Sequence, residues 1–265
     1  MTLTIATAFE RAKQEKRLAL IGYLPAGYPD GQTFIELVQC AFVTGLDILE
    51  IGLPTLYPRF DGDVIRAAVH QVIEQGVDTR AALDLAGVAL AGVAGAGLVM
   101  FYGDSLDEYG VDRLLEHCLR QGISGILPVG MDHTRWQELA AAARQKSVAP
   151  VGFITHDMDE QTVRQIAEAA GGFLYLQSQN SPTGQQGEFG NAVRERVARL
   201  KTATACCPLP IAIGFGVRQP ADVEHIRALG AQGVIVGTAF LEAAMQGIAA
   251  LEEMLRGLIE AAKFD

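Results

Sequence analysis

Three stretches of this chain share one shape: Gly45-Leu-Asp-Ile-Leu-Glu-Ile-Gly-Leu-Pro54, Gly122-Ile-Ser-Gly-Ile-Leu-Pro-Val129 and Gly230-Ala-Gln-Gly-Val-Ile-Val-Gly237. Each reads as a helix-ending glycine, a short turn and a buried strand. They lie early, in the middle and late, so the same unit recurs along the whole chain. Eight strands are expected, at Leu18–Leu24, around Glu50, and at Leu98–Tyr102, Gly125–Val129, Val151–Thr155, Gly172–Leu176, Ile211–Gly214 and Gly233–Val236. Helical stretches separate them, among them Thr33–Thr44, Asp107–Arg120 and a last one from Thr238 onward. The strands are apolar without clean alternation, which suits a parallel sheet covered on both faces. Eight such units with no linker or composition break predict a (β/α)8 TIM barrel, one domain over 1–265. An open doubly wound sheet is the alternative, and the recurring unit favours closure.

The first of the three stretches breaks the pattern. Laid on the first glycine, Glu50 falls opposite Leu127 and Ile235. A strand alternates its faces, so Glu50 shares one with Ile48. An ionisable group thus stands where the other units carry aliphatic ones. A buried carboxylate is costly unless paired or protonated, and burial raises its pKa. A second acid, Asp61, follows a Pro-bounded loop, which favours a chemical role for Glu50 over a local structural one.

Composition narrows the classes. The chain has 265 residues and a formal net charge of -10, with no basic stripe, which argues against nucleic acid or an anionic membrane as partner. Backbone N–H groups can still hold a phosphate. Leu85–Tyr102 is uncharged and long enough for a membrane span, but its Ala/Gly-rich start fits a helix end, a loop and a strand better. Cys40, Cys118, Cys206 and Cys207 show no metal spacing, and Met1–Leu18 has no apolar signal core. Both suit a reducing, cytoplasmic setting.

In a barrel, chemistry sits at the carboxyl ends of the strands. After strands seven and eight stand Gly214-Phe-Gly-Val217 and Gly237-Thr-Ala239, where backbone N–H groups can approach a ligand at a helix start. Thr183-Gly184, after strand six, can close over them as a lid. A phosphate-bearing small molecule is expected in this cradle, built without cations. The five lysines fall in helices or at the tail, so a Schiff-base aldolase is not indicated. The histidines are scattered, which disfavours a metal-dependent lyase, and no dinucleotide fingerprint follows a strand. Acid–base chemistry by Glu50 and Asp61 beside a phosphate grip remains.

At these residues the chain resembles the α subunit of tryptophan synthase, essentially end to end. The resemblance is carried by Tyr23-Leu-Pro-Ala-Gly27, Glu50-Ile-Gly-Leu-Pro54, Asp61-Gly62, Thr183-Gly184, Gly214-Phe-Gly216 and Gly237-Thr238. It implies a lyase that cleaves indole-3-glycerol phosphate to indole and glyceraldehyde 3-phosphate, with neither metal nor cofactor. It implies that Glu50 moves the protons, that Asp61 accepts a hydrogen bond from the indole N–H, and that Tyr23 and Tyr102 line the indole pocket. Gly184, Gly214, Gly216, Gly237 and Thr238 would hold the phosphate, Thr238 standing where the family usually has Ser. A tryptophan synthase β subunit would be the partner. The sequence departs from the family in Pro54-Thr-Leu-Tyr-Pro-Arg-Phe-Asp-Gly-Asp63, where Tyr57 replaces the partner-coupling Asp. It departs again at Gly103-Asp-Ser105 and in the lid at Ser178-Gln-Asn-Ser-Pro-Thr-Gly184. Two other readings stay open: a regulatory subunit that binds the ligand with little turnover, and a barrel lyase or isomerase on a related sugar phosphate.

Overall fold

The computed structural model describes residues 3–177, 186–205, 208–214 and 216–264, with the side chains of all but 186–192. Among them run nine strands: β1 (Ala19–Pro25), β2 (Ile48–Gly52), β3 (Ala96–Phe101), β4 (Gly125–Pro128), β5 (Ala149–Pro150), β6 (Gly152–Ile154), β7 (Leu174–Gln177), β8 (Ile211–Gly214) and β9 (Gly233–Val236). Their order in the sheet is β5-β4-β3-β2-β1-β9-β8-β7-β6. Every named pair is parallel. This is the TIM-barrel architecture that the repeated unit implies.

The expected fifth strand, Val151–Thr155, is instead two short pieces that begin earlier, β5 and β6. Proline explains the break, because Pro150 has no N–H to give a ladder. Ala149 and Val151 donate to the Ser124 and Ile126 carbonyls on the β4 side, at 2.9 and 2.8 Å. Gly152 then donates to Phe173 on the β7 side at 3.3 Å. One run of chain therefore bonds to both ends of the sheet and brings them together.

The helices are α1 (Ile5–Gln14), α2 (Gly31–Thr44), α3 (Asp63–Glu74), α4 (Thr79–Leu90), α5 (Gly103–Tyr109), α6 (Val111–Arg120), α7 (His133–Gln145), α8 (Glu160–Ala169), α9 (Gln186–Ala203), α10 (Pro220–Ala228), α11 (Thr238–Gln246) and α12 (Ile248–Ala262). Asp30, Asp78, Asp132 and Asp159 cap α2, α4, α7 and α8 by accepting backbone N–H groups of the first turn. The glycines of the three repeats, Gly45, Gly122 and Gly230, have φ of 121°, 70° and 79°, the left-handed region that side chains disfavour and that ends a helix before a strand. Two expected helices are broken for the same reason. Gly110 (φ 85°) separates α5 from α6, and Gly247 (φ 105°) separates α11 from α12. Leu85–Tyr102 resolves into the end of α4, a loop and β3. No helix among the described residues is long and apolar enough to cross a membrane.

The end of the barrel away from the site is tied by one fully buried carboxylate. Asp47 accepts from the Arg17 guanidinium at both oxygens, from Arg11 at 2.8 Å and from the Leu20 N–H at 2.9 Å. A buried charge is tolerated only when paired and hydrogen-bonded. This one joins α1 to the starts of β1 and β2.

Candidate active site

The carboxyl ends of the strands enclose a cavity of about 220 Å³. Glu50 faces it, together with Leu127 and Ile235, the two residues that the repeats set opposite it. Tyr23, the register partner of Glu50 on β1, faces it as well. Glu50 is 3% exposed, and its Oε1 has no hydrogen-bond partner among the described residues. Burial, and secondarily the charge of Asp61, pushes its carboxyl up to about 8. At neutral pH this acid holds its proton.

Asp61 reaches the same cavity from the loop between β2 and α3. Tyr102 Oη donates to its Oδ2 at 2.9 Å, and the Phe60 N–H donates to Tyr102 Oη at 3.2 Å. Arg66 donates to the Asp61 carbonyl at 2.9 Å. Burial raises the Asp61 pKa, while the Tyr102 hydrogen bond and the Arg66 charge pull it back. Tyr102 itself is pushed well above its ordinary value, chiefly by burial and then by Asp61. It therefore serves Asp61 as a neutral donor.

The residues by which the sequence departs from the family it resembles hold one another. Asp104 accepts from Thr55 Oγ1 at 2.8 and 2.9 Å and from the Leu56 N–H at 3.1 Å. Ser105 Oγ donates to the Pro54 carbonyl at 2.7 Å. The altered Gly103-Asp-Ser105 turn thus clips the altered loop that carries Asp61.

Aromatic rings form the rest of the wall. Phe60 lies parallel to Tyr102 (centroids 6.5 Å apart, 16°) and edge-on to Phe153 (5.9 Å, 76°), and Phe153 meets Tyr175 at 5.2 Å. Phe60, Phe153 and Tyr175 line the cavity, and sequence reasoning passed over all three. Phe153 and Tyr175 are register partners on β6 and β7. Two facing aromatics at adjacent strand ends were the available signal. Phe60 had none, because a loop has no periodicity to read. Two glycines make room for the tyrosines. A Cβ on Gly52 would stand 2.4 Å from Tyr23 Oη, and one on Gly214 would stand 2.3 Å from Tyr175 Oη.

Gly216, Gly237 and Thr238 line the same cavity. Helix α11 starts there with no side-chain cap, and its N-cap Gly237 and first residue Thr238 border the cavity. Gly214 ends β8 behind Tyr175 and is not part of the lining. Thr183 and Gly184 lie outside the described residues, as do Cys206 and Cys207. The expectation of a cradle without cations needs correction. Arg218, two residues beyond Gly216, also borders the cavity and pairs with Glu242 of α11 at 2.6 Å. Its contact arises because α11 packs beside the β8 loop, which no spacing in the sequence announces. Among the described residues no cluster of three or more His, Cys, Asp or Glu is placed to hold a metal ion.

Comparison with known proteins agrees with this geometry. Residues 9–264 match the family model of the tryptophan synthase alpha chain. The tryptophan synthase alpha chain of Nocardia farcinica is 31% identical over 256 residues, 97% of this chain and 94% of the relative. That of Methanosarcina acetivorans is 30% identical over 243 residues, 92% of this chain and 87% of the relative. A crystal structure of tryptophan synthase from M. tuberculosis superposes with a TM-score of 0.88 at 27% identity, covering all of both chains.

Proposed function

This chain belongs to the tryptophan synthase alpha chain family, lyases that cleave indole-3-glycerol phosphate to indole and glyceraldehyde 3-phosphate, and on that premise we propose that Glu50 and Asp61 carry the cleavage here. One observation carries the reading. A buried acid with an unspent oxygen, a second acid and a helix N-terminus beside glycine turns border one cavity.

The chemistry follows from these positions. Protonated Glu50 gives its proton to the indole C3, and positive charge develops on the ring nitrogen. Tyr102 engages Asp61 Oδ2 and leaves Oδ1 for the indole N–H, so a fixed negative charge stands where the positive one develops. The bond from C3 to the neighbouring hydroxyl-bearing carbon then breaks, and its electron pair returns to the ring. The hydroxyl proton passes to the Glu50 carboxylate as the aldehyde C=O forms. Glu50 ends protonated, ready for the next turnover. A pKa of about 8 suits a group that must first be an acid and then a base.

The Gly216, Gly237 and Thr238 backbone with the first turn of α11 takes the phosphate, and Arg218 adds a cation at its rim. Tyr23, Phe60, Phe153 and Tyr175 enclose the indole, and Tyr102, which is not itself among the lining residues, backs Phe60 and Asp61. Gly184 and Thr183 belong to the proposed phosphate end and lid, while Gly214 supports that end from outside the lining by making room for Tyr175. The partner is a tryptophan synthase β subunit, docking at the mouth where Leu56 and Tyr57 are exposed. The test is indole release from indole-3-glycerol phosphate by the isolated chain and again with added β subunit. Glu50→Gln should abolish release while a phosphate-bearing indole analogue still binds. No release by wild type under either condition refutes the reading.

A further inference from the structure

Next to the catalytic cavity lies a second one, of about 310 Å³, at the ends of β4 and β6. Phe60 and Phe153 line both, so their edge-on pair is the partition between them. Phe60 is 38% exposed on its loop.

The far wall is Trp136 with the His133 ring lying parallel to it, centroids 6.5 Å apart and 14° between planes. Both ring nitrogens of His133 are buried, and neither has a hydrogen-bond partner among the described residues. A polar atom left so costs roughly 1–3 kcal/mol, which a ligand offering an N–H relieves. Met131 and Met158 complete the apolar lining with adaptable thioethers. Among the described lining residues there is no Lys or Arg, and Asp157 is one of them. The cavity's volume is near the lower end, about 300 Å³, for small-molecule sites.

We propose that this second cavity is a binding site for a neutral aromatic heterocycle with one ring N–H. His133 accepts that N–H, and Trp136 and the methionines hold the ring. The natural occupant is the indole released on the other side of the Phe60–Phe153 partition, a clause that rests on the lyase reading. The site keeps the product beside the chemistry after the phosphorylated fragment has left.

Trp136 is the single tryptophan of the chain, so its fluorescence reports on this cavity. The experiment titrates the full chain with benzimidazole, at a pH where the probe is uncharged, with excitation selective for Trp136. A saturable change is expected in wild type. His133→Leu should weaken it about tenfold, the worth of one buried hydrogen bond, while His133→Gln, which keeps an acceptor, should weaken it less. Circular dichroism establishes that each variant folds. No saturable change in wild type, or equal affinity in all three proteins, overturns the proposal. Indole release is assayed separately. Binding that depends on His133 without lyase activity sustains the cavity and removes the lyase reading. Lyase activity without such binding does the reverse.

Discussion

Replacing Glu50 by Gln gives a stability change whose pH dependence is set by the site. The ordinary glutamate pKa is 4.5, and in the fold it is pushed up to about 8. Below 4.5 the carboxyl is neutral in both the folded and unfolded chain, and the fold bears no cost. As pH rises from there, the unfolded chain releases this proton and the folded one keeps it, so stability falls. Above about 8 both states are ionised and the loss is complete. At ~1.4 kcal/mol per tenfold, the gap amounts to roughly 5 kcal/mol. Glutamine has nearly the same shape and no charge, so the variant escapes this loss. Urea midpoints of wild type and Glu50→Gln, measured from pH 5 to pH 9, should therefore diverge. The advantage of the variant should grow steadily up to about pH 8 and then level off. Any constant difference from burying an amide instead of a carboxyl adds an offset but no slope. A difference between the two proteins that is flat with pH would show that Glu50 is not held protonated, and the proposed first proton transfer would lose its basis.

Other consequences can be checked independently. The kcat/KM for indole-3-glycerol phosphate should fall on the alkaline side as Glu50 ionises in the free enzyme near pH 8. Arg218→Ala should raise KM several-fold, up to about tenfold for a lost charge-assisted bond, with little change in kcat and a weaker dependence on salt. An unchanged KM would leave the phosphate to the backbone alone. Gly52→Ala sets a methyl against Tyr23 Oη and should cost about 1–3 kcal/mol by overpacking, read as a lower urea midpoint. Asp47→Ala takes from the buried Arg17 its buried partner, leaving it Glu15 and the Leu18 carbonyl, and should cost about 3 kcal/mol without altering kcat in the protein that remains folded.

Part of the site was legible in the chain because the relevant rule is local. Glu50 stood out against the aliphatic residues of two like units, and the cavity gathers all three positions, Glu50, Leu127 and Ile235. Gly216, Gly237 and Thr238, expected from their place after strands seven and eight, line the same cavity. Phe60, Phe153, Tyr175 and Arg218 were missed because each matters through a neighbour remote in sequence. The departures at Thr55 and Asp104 stand 49 positions apart in the chain. In the fold they are two ends of one hydrogen bond.

The sequence alone determined the βα rhythm, the turns at Gly45, Gly122 and Gly230, and the one acid set into a strand, because backbone conformation and side-chain alternation depend on neighbours along the chain. Tertiary structure decided where the sheet closes, at Pro150, and which rings meet to form the wall. It also decided that Asp61 is gripped by Tyr102 and that a second cavity opens behind Phe60 and Phe153. Those outcomes depend on which distant side chains share a volume and what water they exclude. Burial and the pKa of Glu50 exist only once the barrel has formed around it.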